Sequence, residues 1–212
     1  MKILTDLQQR VLKLLFADKE IRRHFYLTGG TALSAFHLEH RYSDDLDLFT
    51  HSAGIESMDR IVRDGIRDAG LSLKMERSSS TFRRFRVEKE LQLDLVRDVD
   101  FRVGSPQLID GIMVDTPKNI AVNKVLAIYG RLDPKDYVDL YFIMKNEKYD
   151  ILDLLSLAGN KDAGIEPFSW ARVIADAESI AVLPRMVKPL DMEKVKLFFR
   201  DLRGRIVDAV KP

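Results

Sequence analysis

LTGGTALSAFHLEHRYSDDLDLF, residues 27–49, holds the two features that decide the fold. The first is a glycine pair, Gly29 and Gly30, which follows a short apolar run and precedes a segment compatible with a helix. The second is an acid pair, Asp45 and Asp47, whose members are separated by one leucine. Residues two apart on a strand point to the same face. The spacing therefore predicts two carboxylates side by side, with leucines anchored in the core behind them.

The two features together indicate a particular chemistry. Adjacent carboxylates repel each other, so they favour a hard, oxygen-binding cation such as Mg²⁺ or Mn²⁺. A glycine-rich turn after a strand presents backbone N–H groups to phosphate, and a following helix N-terminus adds its dipole. Alone, Gly-Gly is usually a turn and Asp-x-Asp a solvated strand edge. In combination they predict a phosphate cradle beside metal-binding carboxylates, which nucleotidyl transfer needs.

The segment TGGT followed by DLD resembles the signature of the DNA polymerase β-like nucleotidyltransferase superfamily. Within it, GGTAL followed by HRYSDDLDLF is similar to the AbiEii/AbiGii-type nucleotidyltransferase family, many members of which are toxins of toxin–antitoxin pairs. The resemblance implies a metal-dependent enzyme that moves an NMP from an NTP to an acceptor hydroxyl. It also implies an RNA acceptor, with tRNA ends among the candidates, and a cognate antitoxin protein as partner.

The same resemblance assigns roles to individual residues. Asp45 and Asp47 would hold Mg²⁺, whereas Asp44 points to the other strand face and matches no ligand. The residues that would bind the NTP are Thr28, Gly29, Gly30, Thr31, Arg41, Ser43 and Lys124. The nearby histidines, His37, His40 and His51, lack the spacing of a zinc site, which favours packing or solvent-facing roles for them.

A third acid, Asp94, lies in the apolar strand LQLDLV, residues 91–96. A carboxylate there is costly to bury unless something binds it. One interpretation is an arginine partner, for which Arg84, Arg86 and Arg97 are candidates, or a half-exposed strand face. By resemblance, Asp94 matches the third metal-binding acid of the superfamily, which promotes deprotonation of the acceptor hydroxyl.

The segment 119–145 carries the second specific signal. Lys124 lies on an otherwise apolar helix, and Asp136 and Asp139 are three apart on the next, so the two acids share a helix face. A plain interpretation is a lysine–aspartate ion pair between packed helices. By resemblance, Lys124, Arg131 and the D-x-x-D-L segment match the AbiEii pattern. Lys124 would then contact the triphosphate, and either Asp136 or Asp139 would orient it or assist the acceptor.

The pattern of apolar residues predicts an α+β fold: a polymerase β-like core with a mixed sheet and flanking helices, followed by a helical region. We expect residues 1–110 to form the nucleotidyltransferase domain and residues 111–212 a helical domain that completes the active-site cleft. Predicted strands are 25–27, 46–50, 71–76, 82–87 and 91–96, and predicted helices are 4–18, 31–38, 55–69, 117–129, 134–144, 151–157, 170–180 and 192–210.

Composition narrows the alternatives. The 212 residues include 46% hydrophobic and 32% charged residues, no cysteine and a net charge of +1. Disulfides and thiolate metal sites are therefore excluded. No signal peptide or membrane-spanning run is evident, which predicts a cytoplasmic protein. Because the net charge is near neutral, nucleic-acid contact needs a local patch, and Arg83, Arg84 and Arg86 form the candidate. Two alternative functions stay open: a small-molecule nucleotidyltransferase, and a non-catalytic module that binds nucleotide or a partner.

Overall fold

The computed structural model of the chain describes residues 3–52 and 54–210. The chain divides into two compact units. The first, which we call the sheet unit, runs from the N-terminus to His37 and includes Ser43–Asp100 and Ser105–Thr116. The second, the helical unit, comprises Leu38–Tyr42, Phe101–Gly104 and the chain from Pro117 onward.

A mixed sheet organises the first unit. In the described residues it has seven strands: β1 (Tyr26–Thr28), β2 (Leu46–Thr50), β3 (Leu73–Ser78), β4 (Phe82–Val87), β5 (Leu91–Arg97), β6 (Gln107–Ile109) and β7 (Ile112–Val114). Their order across the sheet is β3-β4-β5-β2-β1-β7-β6. The β2 strand pairs antiparallel with β1 and parallel with β5. The strands that carry the glycine pair and the predicted acids are therefore direct neighbours.

Four helices accompany these strands in the described part of the sheet unit: α1 (Asp6–Ala17), α2 (Lys19–His24), α3 (Gly29–Leu33) and α4 (Ile55–Asp68). A π-helical turn, Ser34–Leu38, extends α3. Thr5 begins α1 with a capping box, in which Gln8 N donates to Thr5 Oγ1 at 3.1 Å and Thr5 N donates to Gln8 Oε1 at 2.9 Å. The α4 helix packs on β3, β4 and β5, so one sheet face is covered beside the acid-bearing strands.

The helical unit contains α5 (Pro117–Gly130), α6 (Pro134–Glu147), α7 (Ile151–Gly159), α8 (Pro167–Val173) and α9 (Met192–Val210), with a 3₁₀ turn at Ile174–Ser179. Asp133 and Asp150 cap α6 and α7 with their side chains, as expected at helix starts. Trp170 is fully buried and its Nε1 donates to the Val125 carbonyl at 2.9 Å. This bond joins α8 to α5, the central helix of the unit.

The predicted fold class is confirmed, and the differences lie in short elements. The α2 helix and the β6–β7 hairpin were not predicted, and Phe25 ends α2 instead of beginning the first strand. Asp110 and Gly111 both have positive φ, 49° and 84°, as an Asp-Gly hairpin turn requires. The predicted helix 170–180 instead begins at Pro167 and ends in the 3₁₀ turn. None of the helices in residues 3–52 and 54–210 has the length and apolar composition needed to cross a membrane.

Candidate active site

The acid pair lies where the alternation predicted it. Leu46 and Leu48 on β2 are fully buried, while Asp45, just before the strand, and Asp47 within it are half-buried. Asp44 is exposed. Two neighbouring carboxylates thus share one side of β2 with apolar anchors behind them. Neighbouring carboxylates repel each other, and a bound cation would relieve that repulsion.

The first glycine of the pair touches this site directly. Thr28 pairs with Asp47 across the β1–β2 ladder, and Gly29 follows with φ of +69°. A Cβ atom on Gly29 would lie 2.5 Å from Asp47 Oδ2, much closer than real contacts allow. Glycine is therefore needed for two reasons: the left-handed backbone conformation and the approach of the backbone to the carboxylate. The start of α3 therefore lies against Asp47, the carboxylate predicted to bind a metal ion.

The two threonines around the glycine pair hold the site together. Thr28 Oγ1 donates to Asp115 Oδ2 at 2.6 Å, and Thr31 Oγ1 donates to the backbone carbonyl of Asp45. Thr28 does not cap α3 with its side chain. The N-terminus of a helix carries partial positive charge. The backbone of Gly29 and Gly30, more than the threonine hydroxyls, is therefore the candidate phosphate cradle.

Asp115 was missed by sequence reasoning. It is fully buried just after β7, accepts from Thr28, and also accepts from the Thr116 backbone N–H at 2.8 Å. The signal was an aspartate that directly follows the apolar run of β7. Its role is to fix the end of β1 from which the glycine turn departs.

The third acid, Asp94, has an arginine partner. It pairs in register with Asp47 across the parallel β2–β5 ladder and with Arg84 across β4–β5. Arg84 Nε donates to Asp94 Oδ1 at 2.9 Å and Nη2 donates to Oδ2 at 2.6 Å, while Gln92 Nε2 lies 3.2 Å from Oδ2. The hydrogen bond with Asp94 raises the pKa of Arg84 further, assisted by the charges of Asp45 and Asp47. The guanidinium is thus bound to Asp94 and lies within electrostatic reach of Asp45 and Asp47.

Asp45 and Asp47 would supply part of the oxygen coordination that a cation such as Mg²⁺ requires. In the described ranges there is no group of three His, Cys, Asp or Glu side chains placed to hold a metal ion. Asp45 and Asp47 nevertheless offer two neighbouring carboxylates. Mg²⁺ is usually held by one or two carboxylates and completed by water and substrate phosphates. The residues therefore fit one such ion together with a nucleotide, and not a ready-made cage of three carboxylates.

The arginines of the predicted basic patch on β4 are paired with acids in the structure. Arg86 forms a two-pronged pair with Glu76 at 3.1 and 3.0 Å. Arg83 points to the opposite face of the strand, where it lies 3.6 Å from Asp59. With Arg84 on Asp94, each of the three guanidinium groups already has an acidic partner. Arg84 and Arg86 pair with acids on the neighbouring strands β5 and β3, whereas the partner of Arg83 lies on α4. RNA contact through this patch stays a prediction.

Four predicted residues of the helical unit join His40 in a second group, which we call the buried cluster: His40, Arg41, Lys124, Asp136 and Asp139. Asp139 is its centre and is fully buried. Arg41 Nε and Nη2 donate to Asp139 Oδ1 and Oδ2 at 2.6 and 2.7 Å. Lys124 Nζ lies 2.7 Å from Oδ2, and His40 Nε2 lies 2.7 Å from Oδ1.

Asp136 completes this network. Lys124 Nζ donates to Asp136 Oδ1 at 2.7 Å, and Arg131 Nε donates to Asp136 Oδ2 at 2.8 Å. Lys124 is 8% exposed and Asp136 is 1% exposed. The lysine–aspartate ion pair inferred from the helix pattern is therefore confirmed. The contact of Lys124 with a triphosphate stays a prediction, and it would require the ammonium to exchange part of this coordination for phosphate oxygens.

Charges in the buried cluster determine its protonation. Burial alone would raise the pKa of Asp139, but Lys124 and Arg41 hold it well below the usual value. Burial opposes the charge on Lys124, yet Asp139 and Asp136 raise its pKa. Burial lowers the pKa of His40 below 6.5 despite its bond to Asp139. The acids and cations of the buried cluster thus form ion pairs centred on Asp139, and His40 is a neutral member of the cluster.

Two predicted nucleotide ligands have other partners in the structure. Arg41 is 2% exposed with its guanidinium on Asp139. The backbone carbonyl of Ser43 accepts from Gln8 Nε2 at 2.8 Å. The histidines have packing roles: His37 Nε2 lies 2.8 Å from the Asp115 carbonyl, and His51 Nδ1 lies 2.8 Å from the Val99 carbonyl. The participation of His40 in the buried cluster was not predicted.

Comparison with known proteins places this geometry in context. Residues 10–201 match the family described as "Nucleotidyl transferase AbiEii toxin, Type IV TA system". An uncharacterised protein of Aquifex aeolicus (strain VF5) is 30% identical over 151 residues, which cover 67% of this chain and 68% of that protein.

Solved structures share the fold at lower identity. JHP933 from Helicobacter pylori is 22% identical, with a TM-score of 0.60 over 96% of this chain and 90% of that one. MenT4, a nucleotidyltransferase toxin from Mycobacterium tuberculosis H37Rv, is 15% identical, with a TM-score of 0.52 over 96% of this chain and 82% of that one.

Proposed function

The chain belongs to the AbiEii nucleotidyltransferase toxin family and is a nucleotidyltransferase, and from this premise we propose that it moves an NMP from an NTP to an acceptor hydroxyl with a divalent cation. One observation supports this most: the Gly29 backbone approaches the Asp47 carboxylate so closely that a Cβ would not fit. Catalysis at a metal-bound phosphate needs a group that binds the phosphate next to a carboxylate that can hold the metal.

Each residue of the sheet unit then has a task. Asp45 and Asp47 hold Mg²⁺ or Mn²⁺, and the N–H groups of Gly29 and Gly30 bind NTP phosphate oxygens. Thr31 fixes the Asp45 backbone through its hydroxyl. When bound, the cation supplies charge neutralisation at the phosphate oxygens.

The reaction is a displacement at phosphorus. The acceptor oxygen forms a bond to the α-phosphorus, the bond between the α-phosphorus and the bridging oxygen breaks, and pyrophosphate leaves. The acceptor proton needs a base, and Asp94 is the proposed acceptor of that proton. For this role its carboxylate must loosen from Arg84, because both oxygens are bound in the resting structure.

Lys124 remains the proposed phosphate ligand of the helical unit. Its support is the match to the family pattern and a charge that the two aspartates maintain despite burial. A positive group of this kind stabilises charge on a triphosphate without any covalent role. Of the two aspartates, Asp139 holds Arg41 and His40 in addition to Lys124, so we propose it as the acid that orients the lysine.

The proposed acceptor is RNA, with tRNA ends among the candidates, and the proposed role is a toxin countered by an antitoxin protein. The family description, which names a toxin of a toxin–antitoxin system, supports the toxin role, and MenT4 is likewise named a nucleotidyltransferase toxin. The RNA acceptor rests on the family resemblance alone. NTP and tRNA are both cytoplasmic, so we place the activity there. The β4 arginines give no support to an RNA surface, because acids already neutralise them.

The test is incubation with each α-labelled NTP, Mg²⁺ and total RNA, followed by sizing of the labelled product. We expect label in RNA with one or a few of the NTPs, and loss of labelling with chelator or after RNase treatment. A parallel reaction contains a mixture of aminoglycosides instead of RNA. Label in a small molecule alone would replace the RNA-directed proposal with the small-molecule alternative, and no labelled product at all would support a binding module.

A further inference from the structure

Arg84 binds the carboxylate that the family resemblance assigns as the third metal ligand. Its two nitrogens bind both oxygens of Asp94, and the Asp94 side chain is only 6% exposed. Both residues are in register on adjacent strands, and Asp94 is in register with Asp47 on the next strand. The arginine is therefore built into the sheet beside the acid pair and is not a chance surface contact.

The occupied carboxylate has a consequence for metal binding. Both oxygens of Asp94 accept hydrogen bonds from Arg84, so a cation could coordinate Asp94 only by displacing the guanidinium. A cation held by Asp45 and Asp47 requires no such displacement, whereas a second cation at Asp94 would also meet the positive charge of Arg84, which is unfavourable. The geometry of the resting site therefore favours one divalent ion.

We infer that Arg84 is the counter-ion of Asp94 in the resting enzyme and that the nucleotide-free site takes up one divalent cation through Asp45 and Asp47. This inference rests on the proposed function, since it concerns how that site is loaded. A second cation could reach Asp94 only after the guanidinium moves. The Arg84 side chain is 27% exposed, so an incoming phosphate can contact it. Arg84 thereby couples release of the third carboxylate to arrival of the nucleotide.

The experiment counts metal ions without nucleotide and without turnover. The chain is titrated with Mn²⁺ alone, and unbound Mn²⁺ is measured from its electron paramagnetic resonance signal. The variants are Arg84→Gln, the double variant Arg84→Gln/Asp94→Asn, and Arg86→Gln as matched control. Arg86 lies two residues along the same strand in an equally two-pronged pair, but its partner is Glu76. Circular dichroism melting verifies that each variant is folded.

We expect one Mn²⁺ per wild-type chain. Arg84→Gln should bind a second ion or bind the first at least about tenfold more tightly, because a neighbouring positive charge has been removed. The double variant should lose that gain, since it depends on the Asp94 carboxylate. Arg86→Gln also removes a charge that acts on Asp45, but it leaves the Arg84–Asp94 pair in place, so it should bind one ion with a smaller gain in affinity than Arg84→Gln.

Two results would overturn the inference while leaving the function intact: two ions per wild-type chain, or the same isotherm for Arg84→Gln and Arg86→Gln. If Arg84→Gln does not fold, the number of Mn²⁺ ions bound per wild-type chain still tests the inference. An absence of Mn²⁺ binding at millimolar concentration would be a different failure, because it would contradict the metal dependence of the proposed function itself.

Discussion

The sheet unit and the helical unit each contain a cluster of carboxylates and cations, and the two clusters differ in how deeply their acids are buried. At the start of β2, Asp45 and Asp47 are half-buried neighbours of like charge. In the buried cluster, Asp136 and Asp139 are almost fully inaccessible, and each carboxylate oxygen has a cationic or histidine partner. The first arrangement costs stability and is suited to binding something. The second is a closed framework in which removal of one member leaves an uncompensated charge.

This difference teaches that a motif match does not by itself separate chemistry from support. Asp45, Asp47, Asp136 and Asp139 all follow an acid-x-acid or acid-x-x-acid pattern that the family resemblance marks as functional. Burial distinguishes them. If the distinction is correct, a substitution in the acid pair should lower activity without lowering stability, whereas a substitution in the buried cluster should lower both.

The largest effect is expected at the acid pair. Asp47→Asn should lower NMP transfer by about a thousandfold or more, since metal-based charge stabilisation is worth several kcal/mol. Its free energy of unfolding in metal-free buffer should equal or exceed that of the wild type, because one repulsive charge is gone. Transfer rates and urea unfolding, measured on the same preparations, provide the test. An active Asp47→Asn enzyme would remove the chemical role from this cluster.

Asp139→Asn should have the opposite signature. Loss of the central charge leaves Arg41 and Lys124 without a full counter-charge, and breaking a buried pair costs about 3–5 kcal/mol. Urea unfolding should show this loss, and activity should fall with stability. Glu178→Gln is the control: its pair with Arg200 is exposed, so we expect no measurable loss of stability. Full stability of Asp139→Asn would show that the buried cluster is not a framework.

Gly29→Ala tests the contact between the glycine turn and the acid pair. A left-handed φ costs a residue with a Cβ about 1–2 kcal/mol, and the added carbon must also displace the Asp47 carboxylate. We expect a modest stability loss and a larger loss of transfer. Gly70→Ala is the matched control, because its φ is +73° with open space around the Cβ position. Equal effects on activity at both glycines would contradict a special contact at Gly29.

The smallest expected effect is on the pH dependence of the free energy of unfolding. Burial lowers the pKa of His40 below its ordinary 6.5, so the unfolded chain binds the proton more readily as pH falls from about 6.5. Stability is then fully present above 6.5 and declines as pH falls toward the folded-state pKa. Asp139, whose folded pKa is depressed, contributes stability that is lost only below the carboxyl range.

Replacement of His40 by glutamine keeps an amide donor near Asp139 but removes the titrating ring. Chemical unfolding at pH values between about 7.5 and 5 should therefore show a shallower decline in stability for His40→Gln than for the wild type. Equal slopes would mean that His40 does not contribute to the pH dependence of stability.

The sequence was sufficient for those features that depend on local periodicity. Alternation predicted the shared face of Asp45 and Asp47, and helical spacing predicted the shared face of Asp136 and Asp139. The sequence indicated three arginines as possible partners of Asp94. It could not distinguish among them, because the pairing with Arg84 depends on the β4–β5 register.

Contacts between residues far apart in the chain could not be predicted from local periodicity. His40 meets Asp139 across 99 residues of chain, and no local pattern encodes that meeting. The β6–β7 hairpin, in contrast, had a readable signal in Asp110 and Gly111, but its three-residue strands are too short to show alternation.

The central claim is that the acid pair of the sheet unit catalyses nucleotidyl transfer. Its most direct test supplies the preferred NTP labelled at the α-phosphate or, in a separate reaction, at the γ-phosphate, to wild type and to Asp45→Asn/Asp47→Asn. The account predicts that wild type transfers the α-label and not the γ-label, and that the folded double variant transfers neither. Transfer of the γ-label, or undiminished α-transfer by the double variant, would contradict it.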